Sequence, residues 1–262
     1  MDLEIDGNAA LVTAGSGGLG LASAEALAES GADVAVCGRD EDRLAGAEKR
    51  LEAAGDGDVL AVRADITEPD DVETFVDRTV AAFGRLDHVV TSAGGPPPGS
   101  FLDTDDGDWY DAYDLLVMSV VRTVRAAYPT LSADGGGSVV TITSRTVKEP
   151  IDELVLSNAV RRAVLGLTKS LADEFAPSVR VNSVLPGAHE TSRIGDLIDA
   201  SVDRGEYDSY EAGLDDWADG VPLGRIGDPR ELGDTVAWLS SDRASYINGV
   251  AVPIDGGSIR GI

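Results

Sequence analysis

Seven short apolar runs rich in β-branched residues punctuate the chain: Ala9 to Thr13, Asp33 to Cys37, Val59 to Val62, His88 to Thr91, Ser138 to Thr143, Val179 to Val184 and Val250 to Ile254. Each is apolar almost throughout rather than alternating, the pattern of strands covered on both faces. Between them lie longer segments of helical period. Two open on explicit start signals, Thr67 with Pro69 and Asp228 with Pro229. Strand and helix in alternation predict an α/β fold: one doubly wound domain over residues 1–262, with a seven-stranded parallel sheet and helices on both faces. The stretch from Ala188 to Gly220 breaks the rhythm, is acidic, and carries Tyr207, Tyr210 and Trp217. An excursion of that length inside a compact domain predicts a lid over a cleft at about 188–220.

Composition narrows the classes. With 43% hydrophobic residues the chain can bury a full core, which excludes disorder. No apolar run approaches the roughly 20 residues needed to span a bilayer, and Met1-Asp2-Leu3-Glu4 lacks the start of a signal peptide, so a cytoplasmic location is expected and no membrane partner. The single cysteine, Cys37, excludes an internal disulfide and most cysteine metal sites; it ends an apolar run and is expected to be a buried thiol. No metal is expected. The net charge of −26 comes from 47 acidic against 21 basic residues and argues against a nucleic-acid partner. The charge is spread over loops and helix faces rather than held in one tail. Self-repulsion on that scale destabilises a compact state unless salt screens it, so a halophilic protein is expected.

After the first run comes Thr13-Ala14-Gly15-Ser16-Gly17-Gly18-Leu19-Gly20, opening a helix. Gly15, Gly17 and Gly20 satisfy the spacing of a dinucleotide-binding turn, in which glycines let the backbone approach a pyrophosphate seated on a helix N-terminus. This is the Rossmann arrangement. The second run ends Val36-Cys37-Gly38-Arg39. A carboxylate there would accept the ribose hydroxyls of NAD; a guanidinium suits a phosphate instead, which favours NADP over NAD. Asp40 and Asp42 stand close by, and Arg39 on a loop facing solvent is the plainer alternative.

Over essentially its full length the chain resembles the short-chain dehydrogenase/reductase family, and within it is most similar to 3-oxoacyl-[acyl-carrier-protein] reductases. Thr13 to Gly20 matches the family's T-G-x-x-x-G-x-G, with Ala14 for the first glycine. The resemblance makes Thr13, Gly15, Ser16, Gly18, Leu19 and Gly20 the phosphate turn. It makes Asp65 and Ile66 the adenine segment, and places Ala93 and Gly94 in a counterpart of N-A-G that has lost its asparagine to Ser92. Pro186 and Gly187 end the strand beneath the nicotinamide, and Thr191 falls where a hydroxyl binds the carboxamide. Leu223-Gly224-Arg225-Ile226-Gly227, Asn248-Gly249 and Asp255-Gly256-Gly257 match the C-terminal signatures.

The family works with an Asn-Ser-Tyr-Lys tetrad, whose lysine binds ribose and tunes the tyrosine as proton donor. By that resemblance Ser144 keeps the serine, Ser157 stands for the tyrosine, Arg161 for the lysine and Leu116 for the asparagine. No tyrosine lies between Tyr128 and Tyr207 to take the vacant place. Two hydroxyls and a guanidinium can polarise a carbonyl but lack a tuned acid. Arg161 is expected to hold ribose, and His189, just past the Pro186-Gly187 turn, is the candidate to move a proton. Lys148, Tyr207 and Tyr210 are weaker candidates, and His88 reads as structural. The rim Gly94-Gly95-Pro96-Pro97-Pro98-Gly99 reads as a stiff wall or connector, beside an acidic stretch from Asp103 to Asp108 that disfavours anionic substrates.

The expectation is a divergent NADP-dependent oxidoreductase acting on a small carbonyl or alcohol. A catalytically inactive NADP-binding subunit or sensor, and a non-redox lyase or isomerase, stand as alternatives. The resemblance further implies a homotetramer built on long helices around Asp108 to Ser132 and Asp152 to Ala176.

Overall fold

The computed structural model describes residues 2–133 and 135–261. Its strands are β1 (Ala9–Val12), β2 (Asp33–Gly38), β3 (Val59–Arg63), β4 (His88–Thr91), β5 (Gly137–Ile142), β6 (Val179–Pro186) and β7 (Ala251–Ile254). They form one parallel sheet in the order β3-β2-β1-β4-β5-β6-β7. The helices are α1 (Gly18–Glu29), α2 (Glu41–Ala54), α3 (Pro69–Phe83), α4 (Asp106–Tyr113), α5 (Ser119–Leu131), α6 (Val155–Glu174), α7 (Ser192–Asp203), α8 (Tyr210–Ala218) and α9 (Pro229–Ser240).

The continuous apolar character of the strands has a direct cause in the layers. On one face Leu11, Ala35, Val89, Val139 and Val181 pack with Phe75 and Val76 of α3, Val120 and Val124 of α5, and Val160 and Val164 of α6. On the other, Val12, Val36, Val90, Val140 and Val184 pack with Leu21 and Leu27 of α1, Leu44 and Leu51 of α2, and Leu232 and Val236 of α9. Neighbouring strand residues serve opposite layers, so neither set can be polar. Each fully buried aliphatic side chain contributes about 1.5–3 kcal/mol. Cys37 is fully buried, and loss of hydration pushes its thiol up to about 12. Among the described residues no helix is long and apolar enough to cross a membrane.

The start signals act largely as read. Pro69 is the first residue of α3, capped by Glu68, while the Thr67 hydroxyl donates to Asp65 Oδ1 at 2.8 Å. Asp228 and Glu231 form a reciprocal capping box around Pro229. One expectation is revised. The long helix expected around Asp108 to Ser132 is interrupted by a π-helical stretch at Asp114–Met118, which separates α4 from α5. The excursion at 188–220 is helical too, with Ile198 of α7 fully buried and Gly213 of α8 packed against it. A Cβ on Gly213 would lie 2.4 Å from Ile198 Cγ2, so a small residue is needed for the two helices to close.

Candidate functional site

The strand order reverses between β1 and β4, because β1 runs on to β2 on one side and the chain returns to β4 on the other. Loops at the carboxyl ends of such strands leave a crevice where ligands bind in open α/β sheets. Here it is a cleft of about 1030 Å³.

One end of the cleft is the glycine turn. The Gly15 N–H donates to Cys37 O at 2.9 Å, and a Cβ on Gly15 would lie 2.7 Å from Val36 Cγ1. A Cβ on Gly20 would meet Ala14 O at 2.6 Å. Both glycines are therefore required by packing behind the turn. Gly18, at φ 56°, and Leu19 line the cleft together with Ser16. Gly17 caps α1 without any side-chain acceptor, leaving the first N–H groups of the helix available to an anion. This bare, positively polarised helix end, with glycines where bulk cannot fit, suits a dinucleotide pyrophosphate. Thr13 does not line the cleft. Its hydroxyl donates to Ser92 O at 2.8 Å and accepts from Ser92 N at 2.9 Å, tying β1 to β4 across the switch point.

Arg39 is largely exposed and approaches Asp65 at 3.5 Å. Burial raises the Asp65 carboxyl, but hydrogen bonds from Thr67 and the charge of Arg39 outweigh it and hold the group below its ordinary value. Asp65, Ile66, Ala93, Gly94 and Thr191 all face the cleft. Pro186 and Gly187 do not; they are tied to β7, with Gly187 N donating to Ile254 O at 2.9 Å. The Asp40 carboxylate accepts from Arg43 N at 2.9 Å and so caps α2. Arg43 itself, unnoticed in the sequence, lies in the cleft wall with its guanidinium against Gly17. The signal was available: the Asp40 cap places Arg43 in the first turn of a helix that begins just past the end of β2.

At the other end, α6 brings Ser157 and Arg161 together one turn apart. Arg161 donates from Nε to Ser157 Oγ at 3.1 Å, from Nη1 to Thr143 O at 3.2 Å and from Nη2 to Gly94 O at 3.3 Å. Both residues are buried, and Arg161 faces the cleft. Carbonyl oxygens from the ends of β4 and β5 thus stabilise a charge that would be costly alone. A guanidinium stays protonated at any ordinary pH, so it can bind and polarise but cannot release a proton. Ser144 sits beside Thr143, half-buried, and its Oγ accepts from Thr146 N at 3.2 Å. Leu116 is buried in the core, and it is the adjacent Leu115 that reaches the cleft. The π-helical stretch displaces the register there.

His189 corrects the expectation of a proton carrier near the nicotinamide. Its backbone bridges Gly227, with Gly227 N donating to Ala188 O and Glu190 N to Gly227 O, both at 2.9 Å. That pairing tucks the ring under Gly227, 3% exposed, with Nδ1 3.2 Å from Gly187 O. Burial lowers its pKa, favouring the neutral ring. It is not part of the cleft wall. Tyr207 and Tyr210 are engaged elsewhere: Tyr207 donates to Asp216 at 2.7 Å, and Tyr210 to Glu190 at 3.1 Å. Lys148 is exposed. Of the glycine-proline rim, Gly94 and Gly95 line the cleft, while Gly99 ties the loop to the start of α6 by pairing with Leu154. Asp196 and Leu197, on the first turns of α7, complete the wall and had no signal in the sequence beyond their place in the predicted lid. Among the described residues no cluster of histidine, cysteine or carboxylate could hold a metal.

A family model described as enoyl-(acyl carrier protein) reductase matches residues 13–258. The 2,5-dichloro-2,5-cyclohexadiene-1,4-diol dehydrogenase of Sphingobium indicum is 33% identical over 260 residues, covering 99% of each chain. L-sorbose reductase of Gluconobacter frateurii, solved with NADPH and L-sorbose, superposes with a TM-score of 0.95 at 31% identity over the full length of both chains. A short-chain oxidoreductase of Pseudomonas aeruginosa described as containing an atypical catalytic center superposes with a TM-score of 0.91 at 32% identity, covering 97% of this chain and 98% of that one.

Proposed function

Because the chain belongs to the short-chain dehydrogenase/reductase family, we propose that it is an oxidoreductase moving hydride between NADP(H) and a carbonyl or alcohol carbon, with an active site lacking the family's tyrosine and lysine. The observation that carries this reading is the union, in one cleft, of the bare N-terminus of α1 and the buried guanidinium of Arg161. When bound, the nicotinamide supplies or accepts the hydride. The chain's residues do the rest. The first N–H groups of α1 hold the pyrophosphate, Asp65 and Ile66 flank the adenine, Arg39 meets the ribose phosphate, and Thr191 holds the carboxamide. Arg161 holds the nicotinamide ribose and keeps positive charge beside the reacting oxygen, with the Ser144 and Ser157 hydroxyls next to the cleft-lining Thr143 and Arg161 rather than in the cleft wall itself. That arrangement stabilises charge developing on oxygen. The proton comes from water, since neither a guanidinium nor an aliphatic hydroxyl gives one up at neutral pH.

NADP rather than NAD is supported by the absence of a carboxylate at the end of β2, by the capping role of Asp40, and by the NADPH bound to L-sorbose reductase. The atypical center ascribed to the Pseudomonas relative supports an unusual set of catalytic groups. Likeness to 3-oxoacyl reductases gives a starting class of substrate. The acidic stretch from Asp103 to Asp108 and the sugar and diol chemistry in the names of two relatives favour uncharged hydroxy-carbonyl compounds over anionic ones. In this reading the 262 residues act as one domain, α7 and α8 serve as the lid, and the protein works as a cytoplasmic homotetramer in concentrated salt.

The deciding experiment is fluorescence titration with NADPH and NADH in molar potassium chloride, followed by a panel of carbonyl substrates. Binding with turnover supports the enzyme. Tight binding with no turnover favours the second reading, a non-catalytic NADP-binding subunit or sensor, which the engagement of Arg161 by three protein acceptors also suits. Conversion of substrate with no net cofactor oxidation would favour lyase or isomerase chemistry. No binding of either nucleotide would end all but the last.

A further inference from the structure

The position of Arg43 sets it apart from the other cations around the cofactor cleft. Its guanidinium rests on Gly17, where a Cβ would collide with Nη2. It lines both the main cleft and a second groove of about 500 Å³ that continues between α1 and the start of α9. That groove contains carboxylates, but they are already engaged. Glu25 takes both Nε and Nη2 of Arg50, at 2.6 and 2.9 Å, and Glu29 takes Nη2 of Arg230 with both oxygens at 2.9 Å. Among the described residues no carboxylate lies within ion-pair distance of the Arg43 guanidinium. In a chain with 47 acidic and 21 basic residues, a cation in a cleft wall without a carboxylate partner is available to an external anion.

Local chemistry says which anion. Asp40 caps α2 through Arg43 N, so the backbone of Arg43 is fixed one turn past the end of β2. From there the side chain turns back over the glycine turn. Ser16 Oγ lies beside Gly38 at the end of β2, since a Cβ on Gly38 would lie 2.5 Å from it. Arg39, another cation near the end of β2, has a side chain 77% exposed that already leans on Asp65. The N–H groups of α1 serve the pyrophosphate from Gly18 onward. Arg43 and Ser16 face the β2 side of the turn, where the adenosine ribose lies if Asp65 and Ile66 flank the adenine.

We propose that Arg43, seated on Gly17 and assisted by Ser16, is the residue that selects the 2′-phosphorylated dinucleotide, with Arg39 in a secondary role. The inference rests on the cofactor reading above and deepens it. Gly17 then has a second duty: it leaves out the side chain that would otherwise occupy the place of the guanidinium.

The test is titration of NADPH and NADH against the full-length protein and the variants Arg43→Ala, Arg43→Gln, Arg39→Ala and Gly17→Ala, all at one salt concentration, with thermal melting as the check on folding. A charge-assisted contact of about 1.5–3 kcal/mol corresponds to about a 10- to 100-fold loss of affinity. Arg43→Ala and Arg43→Gln should lose that much for NADPH while NADH binding stays within about twofold, and Arg39→Ala should lose less. Gly17→Ala should weaken NADPH by displacing Arg43, and the double variant Gly17→Ala, Arg43→Ala should be no weaker than Arg43→Ala, because both changes remove one interaction. Equal losses for both nucleotides would move Arg43 to the pyrophosphate and overturn the proposal, as would unchanged NADPH binding. A wild-type protein that binds neither nucleotide would instead remove the cofactor reading on which the proposal rests.

Discussion

Arg161 Nε lies 3.1 Å from Ser157 Oγ, one helical turn apart on α6. The remaining arms of the same guanidinium reach Thr143 O and Gly94 O, so a single side chain joins α6 to the ends of β5 and β4. Removing it leaves two backbone carbonyls without their donor. Arg161→Ala should destabilise the protein by about 2–4 kcal/mol and weaken NADPH binding, read by chemical denaturation and fluorescence titration. Arg161→Lys retains the charge but reaches only part of the acceptor set, and should fall between the two. An Arg161→Ala protein of unchanged stability would show that the fork carries no weight.

The same pair predicts what restoring the missing groups would do. Ser157→Tyr with Arg161→Lys installs a phenol and an ammonium in register on α6. Turnover of a model ketone should rise by about 100-fold, the usual contribution of a positioned general acid. Activity appearing only in the double variant would favour the non-catalytic reading of the natural chain.

Stability should fall on acidification through His88. The ring is buried between Asn8 and Ser138, accepting from Asn8 Nδ2 at Nε2 and donating to Ser138 Oγ from Nδ1, each at 3.0 Å. Burial holds its pKa down at about 4, against 6.5 for a free histidine. Between these values the unfolded chain binds a proton that the folded one refuses, so stability present above pH 6.5 drains away as pH falls towards 4. The loss amounts to about 3 kcal/mol. Urea midpoints across that range should show it, and His88→Gln should flatten the slope; an unchanged slope would move the effect to other groups.

Ala14 holds φ 48° in the phosphate turn, a left-handed conformation that costs a residue with a Cβ about 1–2 kcal/mol. Ala14→Gly removes that strain but gains chain entropy in the unfolded state, worth about 0.5–1 kcal/mol. The difference favours glycine slightly, and the melting temperature should rise by about 1–2 °C. A fall would mean that the methyl group's packing outweighs its strain.

The surface charge supplies the last test. Dialysis from molar potassium chloride to low salt should unfold the protein, read as loss of the native circular dichroism signal, because −26 charges then repel one another unscreened. Retention of the full signal would remove the halophilic reading.

The layers were legible in the chain because the central strands are buried on both faces, which leaves no room for polar interruption in residues such as Ala9 to Val12. The glycine turn was legible for a related reason: Gly15 and Gly20 are fixed by close clearances that leave a trace in the sequence. Arg43 was not, since its role depends on where a long side chain lies once α2 has turned, and spacing along the chain carries no such information. His189 misled for the opposite cause. Its neighbours in sequence lead to the cleft, while a pairing with Gly227, distant in the chain, decides where the ring goes. The interruption at Asp114–Met118 was hidden because a π-helical stretch preserves helical patterning on either side of it.

Thr13 and Ser92 exchange two hydrogen bonds, at 2.8 and 2.9 Å, past the last paired residues of β1 and β4. Ordinary parallel strands splay beyond their final rung, and this reciprocal stitch prevents it at the midpoint of the sheet. The stitch thus holds the two halves of the sheet together at the point where the strand order reverses. At the rim, α7 follows β6 through the short segment between Pro186 and Thr191. If α7 and α8 serve as the lid proposed above, ligand would enter past that segment while the stitched sheet beneath it stays closed.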